Sequence, residues 1–565
     1  MKIKKIMALL LCAVLLAVAL SGCGTSAQPE QSRQGKAALK HYSQNNTKLT
    51  FANTNWNYDS AHDVWYQLGI TYCAEPVSKN QTMGIYVPGK YMKGRKNGSS
   101  YICTPTTAGR NAAIVCPVNT PGYSAQAAPA KYSYSNVEQY MKAGLVYLEA
   151  GMRGRETGAP WGVTDLKAAI RYYRYNKDRL PGNTNQIYTF GHSGGGAQSS
   201  LMGTTGDSPL YYPYLESEGA AMRDRSGGFI SDSIAGAMCW CPITSLDEAD
   251  EAYEWNMGQF ANSGVRKKGT YTAELSQGLA GQYPKFINRL GLKDENGKKL
   301  KLEKSDEGIY LKGSYYDYLM NIIQTSLNNF LKDTKFPYTK SNHFMAGMGQ
   351  AGSAGGIGPV KPQGAQEEKT YQTPEEYFAE LNKNGTWVKY DKTTNTAKVL
   401  NMKGFIQACK PVSKNIGAFD DLNRSQGENL VFGVNGKARH FDPVLAKLVK
   451  GSRYEASYKS DLKKTDSLGT DLQTRMNMYN PMFYVAKYYA GYVTSRVAPH
   501  WRIHTGIEQG DTALSTEVNL ANALEHLVGV KDVEFTTVWG LGHTMAERTG
   551  DAEANFIQWV LSCSK

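Results

Sequence analysis

Histidine is scarce in this sequence, nine among 565 residues, and no Cys/His pair stands at the spacing of a zinc site. No metal constellation is legible, and no cofactor motif either, so the expectation is chemistry done without metal or cofactor. The basic residues outnumber the acidic ones to give a net charge of +13 and a pI near 9.0. They are dispersed and not interleaved with an aromatic platform, which excludes a recognisable nucleic-acid module and leaves a solvated basic surface as the reading. Long apolar stretches are wanting too: 41% hydrophobic residues and a mean hydropathy of -0.47 suit one large buried core and not several membrane passes. No internal repeat is apparent.

What is present begins at the N-terminus. The segment MKIKK followed by the apolar run Ile6 to Leu20 has the pattern of a signal peptide, too short for a comfortable spanning helix. It ends in Leu20-Ser21-Gly22-Cys23, small residues directly before a cysteine, which resembles a bacterial lipobox. The expectation is a lipoprotein: residues 1–22 removed, Cys23 acylated, residues 23–50 a flexible tether, and the body held on the extracytoplasmic face of the cell membrane. Seven cysteines fall in the body, at Cys73, Cys103, Cys116, Cys239, Cys241, Cys409 and Cys563. Seven is odd, so at least one thiol is free, and Cys239-Trp240-Cys241 reads as buried strand.

Short β-rich runs alternate with helical stretches through the first part of the body, the rhythm of a mostly parallel sheet covered by helices. Strands are expected at 82–87, 113–117, 145–150, 187–191 and 235–241, with a helix at 165–178. The rhythm resumes near the C-terminus: a strand at 501–505, a helix at 516–528, a strand at 533–539 and a closing helix at 551–561. Between them, residues 251–482 break the pattern and include the glycine-rich run Met345 to Gly364. The organisation expected is an α/β core in two parts, 51–250 and 483–565, with 251–482 inserted as a lid and the glycine-rich run as a loop of that lid.

Gly191-His192-Ser193-Gly194-Gly195 places a serine between glycines, directly after a strand and before a helix. This is a nucleophile elbow, where glycine is needed because any Cβ at the flanking positions meets the neighbouring strand or helix. The fold class expected is therefore α/β, of the α/β-hydrolase type with a large lid insertion. A serine hydroxyl needs an imidazole as general base and a carboxylate to orient it, in the chain order serine, acid, histidine. His543, in Gly542-His543-Thr544 after the last strand, is the expected base; His500, His504 and His526 precede that strand, and His192 adjoins the serine. The loop His504 to Thr512 offers Asp511 as the acid, with Glu508 as the alternative. For the oxyanion the amides of Gly194 and of Gly122, in the loop after the strand at 113–117, are the expected donors.

At this point the residues resemble a family. Gly151-Met152-Arg153-Gly154-Arg155, Asp165-Leu166-Lys167-Ala168-Ala169, the elbow with Ser199-Ser200, Glu251-Ala252-Tyr253-Glu254-Trp255, Ala418-Phe419-Asp420 and His500-Trp501-Arg502-Ile503 are similar to bacterial tannases of the subtype related to feruloyl esterases, over nearly all of the body. The resemblance implies hydrolysis of galloyl esters by a Ser-Asp-His triad beneath a lid. It also implies that Lys414 and Glu428 bind the phenolic hydroxyls, together with an aspartate on the triad-acid loop. One departure stands out: the family carries two aspartates two residues apart, where this sequence has Gln509 and Asp511. Either Asp511 serves as triad acid, or Glu508 reaches in and leaves Asp511 to the substrate. The expected activity is a serine esterase of galloyl or related phenolic-acid esters. A feruloyl or aryl esterase is the alternative, and a serine exopeptidase or a lipoprotein that binds phenolic ligands without turnover are the remoter ones.

Overall fold

The computed structural model describes residues 47–340 and 368–564. The lipobox with Cys23, all of the tether before residue 47, and the glycine-rich run at 345–364 lie outside the described residues. No helix among the described residues is long and apolar enough to cross a membrane.

One nine-stranded sheet carries the body. Its strands in chain order are β1 (Asn57–Asp59), β2 (Val64–Thr71), β3 (Thr82–Pro88), β4 (Ile114–Val118), β5 (Val146–Ala150), β6 (Ile187–His192), β7 (Gly236–Trp240), β8 (His500–Gly506) and β9 (Asp532–Val538). In space they run β1-β2-β3-β5-β4-β6-β7-β8-β9. The pairs from β5 through β9 are all parallel, whereas β1, β2 and β3 are antiparallel to their neighbours. Every residue of β4 and β7 is buried, as a parallel sheet covered on both faces requires, and their sequences are accordingly continuous apolar runs instead of alternating ones. The expected strands are all present with ends moved by a residue or two. The antiparallel edge made by β1 and β2 is the part that the βα rhythm did not signal, because an edge meander carries no intervening helix.

The helices that matter to the site are α1 (Trp161–Tyr175), α2 (Gly194–Thr204), α3 (Ala249–Asn256), α4 (Tyr271–Leu290), α5 (Ser314–Asp333), α6 (Met402–Cys409), α7 (Gly427–Val431), α8 (Leu514–Glu525) and α9 (Ala552–Cys563). Their ends have ordinary chemical causes. Thr270 Oγ1 accepts from the Ala273 amide to start α4, and Gly291, at φ 81°, closes it in the left-handed region. Asp551 caps α9 through the Ala554 amide at 2.9 Å.

The insertion between β7 and β8 shares the hydrophobic core of the body. Trp539, just after β9, donates its indole N–H to Tyr377 Oη at 2.7 Å and packs on Phe405, ring centroids 5.6 Å apart. Buried Arg475 closes the other side: its guanidinium donates to the carbonyls of Ala159 at 2.8 Å, Phe432 at 3.1 Å and Gly433 at 2.9 Å. A cation is held there entirely by main-chain oxygens of two separate segments, which ties the insertion to the start of α1. All seven body cysteines are free thiols and six are buried; Cys239 lies in β7 as expected, with Cys241 just past its end.

Candidate functional site

The turn from β6 into α2 puts Ser193 at φ 61° and ψ -123°, a conformation that costs a non-glycine residue about 1–3 kcal/mol. The surroundings hold it there. A Cβ at Gly191 would stand 2.5 Å from the Gly195 carbonyl, and one at Gly195 would stand 2.0 Å from the Val118 carbonyl oxygen. Only glycine lets β4, β6 and α2 approach this closely. The Ser193 amide donates to the Trp240 carbonyl at 2.9 Å, binding the turn to the end of β7. Its side chain caps no helix amide, so the hydroxyl is not consumed by local structure.

Gly194 opens α2, where the first amides of a helix have no intrahelical acceptor. The loop after β4 presses against it: a Cβ on Gly194 would meet Thr120 O and Tyr123 N at 2.5 Å, with the Gly122 amide nitrogen 3.3 Å away. Gly122 itself sits at φ 54°, and Arg155 Nη1 anchors the turn by donating to its carbonyl at 2.8 Å. The two expected oxyanion donors thus come from elements in direct contact.

His543 follows β9, and its ring lies 4.7 Å, centroid to centroid, from that of His192. Burial pushes the His543 imidazole below the usual histidine range; Asp511 pulls the other way, and Lys414 and Lys410 reinforce the depression. A ring held neutral at pH 7 is what a general base requires. Three other histidines are occupied: His500 pairs with Asp532 at 2.7 Å, His504 with Glu534 at 3.0 Å, and His526 Nδ1 contacts the Asn522 carbonyl at 2.9 Å.

The loop after β8 brings an amide, and neither expected carboxylate, nearest to the His543 ring. The group nearest to His543 Nδ1 is Gln509 Oε1, at 2.9 Å. Asp511 Oδ2 stands farther off, at 3.5 Å, on a side chain that is 38% exposed. Glu508 is turned away and paired with Lys340 Nζ at 2.6 Å.

Lys414 Nζ lies 4.0 Å from Asp511 Oδ1 and 4.2 Å from the centre of the Phe419 ring, so an ammonium, a carboxylate and an aromatic face gather within reach of His543, which Asp511 approaches to 3.5 Å. Glu428, near the start of α7, is buried and forms no ion pair among the described residues. The preceding residue, Gly427, is packed against Arg155 and the Gly122 carbonyl, which sets Glu428 next to the loop after β4.

A grouping invisible in the sequence is His192, Cys241 and His543, whose ligand atoms all lie within 4.8 Å of one another. These residues come from three distant segments, so no spacing rule finds them. Burial lifts the Cys241 thiol to about 11, and its sulfur donates to the Thr544 carbonyl at 3.2 Å. The trio offers an N, S, N set of the type that soft divalent cations use.

Residues 101–251, which include the loop after β4 and the turn at Ser193, match the BD-FAE family model. No curated protein sequence matches the chain. Among solved structures, the chain is similar to the tannin acyl hydrolase of Lactobacillus plantarum, with 24% identity and a TM-score of 0.65, covering 92% of this chain and 99% of that one. The tannase of Fusobacterium nucleatum matches with 24% identity, a TM-score of 0.66 and the same coverage. Another structure of tannin acyl hydrolase, in complex with ethyl gallate, matches at 24% identity and a TM-score of 0.64. Residues 101–251 thus match the BD-FAE model, and the chain is built, over nearly all of its length, on the α/β-hydrolase-like fold of the bacterial tannases.

Proposed function

We propose that this protein is a serine esterase that hydrolyses galloyl or closely related phenolic-acid esters, and that it works outside the cytoplasm, anchored to the membrane by lipid on Cys23. The observation that carries the chemistry is the strained Ser193 turn, held between an oxyanion loop and a histidine kept neutral by burial. In the reaction, Ser193 Oγ attacks the ester carbonyl while its proton passes to His543 Nε2. The Gly194 and Gly122 amides receive the oxyanion that develops. His543 then protonates the leaving alcohol, and water, deprotonated by the same ring, releases the acid from the acyl-enzyme.

Substrate choice rests on Lys414 and Asp511 beside His543 and on buried Glu428. Vicinal phenolic hydroxyls both donate and accept, and charged partners in a partly dry pocket discriminate strongly against rings that lack them. Similar solved structures are described in complex with 3,4-dihydroxybenzoate and with ethyl gallate, which supports a phenolic acyl group here. The localisation rests on the lipobox pattern alone.

The test is hydrolysis of methyl gallate and methyl ferulate by the full chain in mild detergent, with Ser193→Ala as control and a fluorophosphonate as label. Turnover of gallate and labelling of the wild type, both lost in Ser193→Ala, is the expected result. Hydrolysis of ferulate alone would shift the reading to a feruloyl esterase. Neither hydrolysis nor labelling would leave a phenolic-ligand-binding lipoprotein. The anchor is checked separately, by whether Cys23→Ser releases the protein from the membrane fraction.

A further inference from the structure

Resting on the esterase reading above, we infer that Glu517 is the carboxylate that positions and polarises His543, and that it does so through the side-chain amide of Gln509. Three groups converge on one oxygen of Glu517. Gln509 Nε2 donates to Oε1 at 2.6 Å, Thr512 Oγ1 at 2.8 Å, and Thr505 Oγ1 at 3.4 Å. The carboxyl is fully buried in the first turn of α8, and its other oxygen has no hydrogen-bond partner among the described residues. A buried carboxylate costs several kcal/mol unless its surroundings are arranged for it. Here they are arranged toward His543.

The amide has one donor end and one acceptor end. With Nε2 committed to the carboxylate and to Thr512 Oγ1 at 2.6 Å, Oε1 must face the histidine, where it stands 2.9 Å from Nδ1. An amide oxygen only accepts, so Nδ1 carries the proton and Nε2 is bare. That is the tautomer that can take the proton of Ser193. When the ring becomes an imidazolium, the negative charge behind Gln509 deepens the dipole that its Oε1 presents, as in any polarised hydrogen-bond chain. No proton moves along the relay: the Ser193 proton rests on Nε2, the Nδ1 proton stays, Gln509 keeps its amide protons and Glu517 stays ionised. Lys410 Nζ donates to the Gln509 backbone carbonyl and holds the loop in register. Asp511 is thereby free to face Lys414 and the substrate.

The full chain in detergent is assayed on p-nitrophenyl acetate, which makes no demand on the phenol-binding groups. The variants are Glu517→Gln, the exchange Gln509→Glu with Glu517→Gln, and Asp511→Asn. Wild-type turnover that depends on Ser193 establishes the esterase reading first; if it is absent, that reading fails and the relay with it. Given turnover, Glu517→Gln is expected to lower kcat roughly 10- to 100-fold with KM changed less than about twofold. The exchange variant, with its carboxylate directly on Nδ1, is expected to recover most of the loss, and Asp511→Asn to lose less than Glu517→Gln.

Burial lifts Glu517 to about 7 against the pull of Lys410, and burial lowers Lys410 to about 8. Lys410 and Cys241 are the charged or titratable groups that face Glu517, and Asp511, Lys414 and Lys410 are those that act on His543. Activity should therefore fall as the pH drops through about 7 in the wild type, whereas Glu517→Gln should keep only the fall, at lower pH, that belongs to His543. The relay is overturned if Glu517→Gln stays within about twofold of wild type, if its loss is the same at every pH, or if a folded exchange variant shows no recovery. Should Glu517→Gln fail to fold, the exchange variant decides alone.

Discussion

The imidazole rings of His192 and His543 lie 4.7 Å apart, tilted by 52°. His192, the residue before Ser193, therefore forms one wall of the space around His543. Burial, with His543 as a neighbour, drops His192 to about 3, and its Nε2 has no hydrogen-bond partner among the described residues. A charge on either ring would face the other in a poorly solvated space, so both are kept neutral.

That arrangement has a cost at low pH. An unfolded histidine takes up a proton near pH 6.5, while folded His192 resists protonation down to about 3. Between these values the unfolded state binds more protons, so stability is complete above about pH 6.5 and declines as the pH falls. Thermal melts at pH 7.5 and 4.5 should show a smaller decline for His192→Gln than for the wild type. Equal declines would mean that other groups govern the acid sensitivity.

Glycine substitutions should separate the elbow from an ordinary helix. Gly195→Ala drives a Cβ to 2.0 Å from the Val118 carbonyl oxygen, and either yields no folded protein or costs at least about 2–3 kcal/mol. Gly281→Ala, inside α4 with nothing within 4 Å, should stabilise by about 0.5–1 kcal/mol. Urea unfolding of both variants measures the contrast, and a mild effect at Gly195 would contradict the packing described.

Lys414→Met and Glu428→Gln should raise KM for methyl gallate by roughly tenfold while changing p-nitrophenyl acetate hydrolysis little. Equal effects on both esters would place these residues in the support of the site and not in recognition of the phenol.

Arg475→Met leaves the carbonyls of Ala159, Phe432 and Gly433 without their donor. The expected loss is about 2–4 kcal/mol, together with faster limited proteolysis within the insertion. A melting temperature equal to that of the wild type would show that water replaces the guanidinium at little cost.

Much of the site was legible because it depends on local rules. A serine between glycines after a β-rich run has few explanations other than a tight turn, and the structure puts Ser193 on such a turn. A histidine after the final strand follows from chain order, and His543 is found beside the elbow. The acid was less legible. Gln509, Asp511 and Glu508 lie within four residues, and which of them meets His543 depends on how the loop is wrapped. The loop is set by Lys410 on one side and by Thr505, Thr512 and Glu517 on the other. Glu517 carries no local signal, since it is a carboxylate in the first turn of an expected helix, where acidic residues are common for dipole reasons.

By itself the sequence determined the alternation of strands and helices and the glycine-lined turn at Ser193, because propensity, hydrophobic period and steric room act over a few residues. Only the tertiary structure decided which groups face His543, that Cys241 and His192 crowd it, and that the insertion is stitched to the body through Arg475 and Trp539. Those outcomes depend on contacts between residues tens to hundreds of positions apart. There, burial and hydrogen-bond satisfaction choose among side chains that the sequence leaves chemically equivalent.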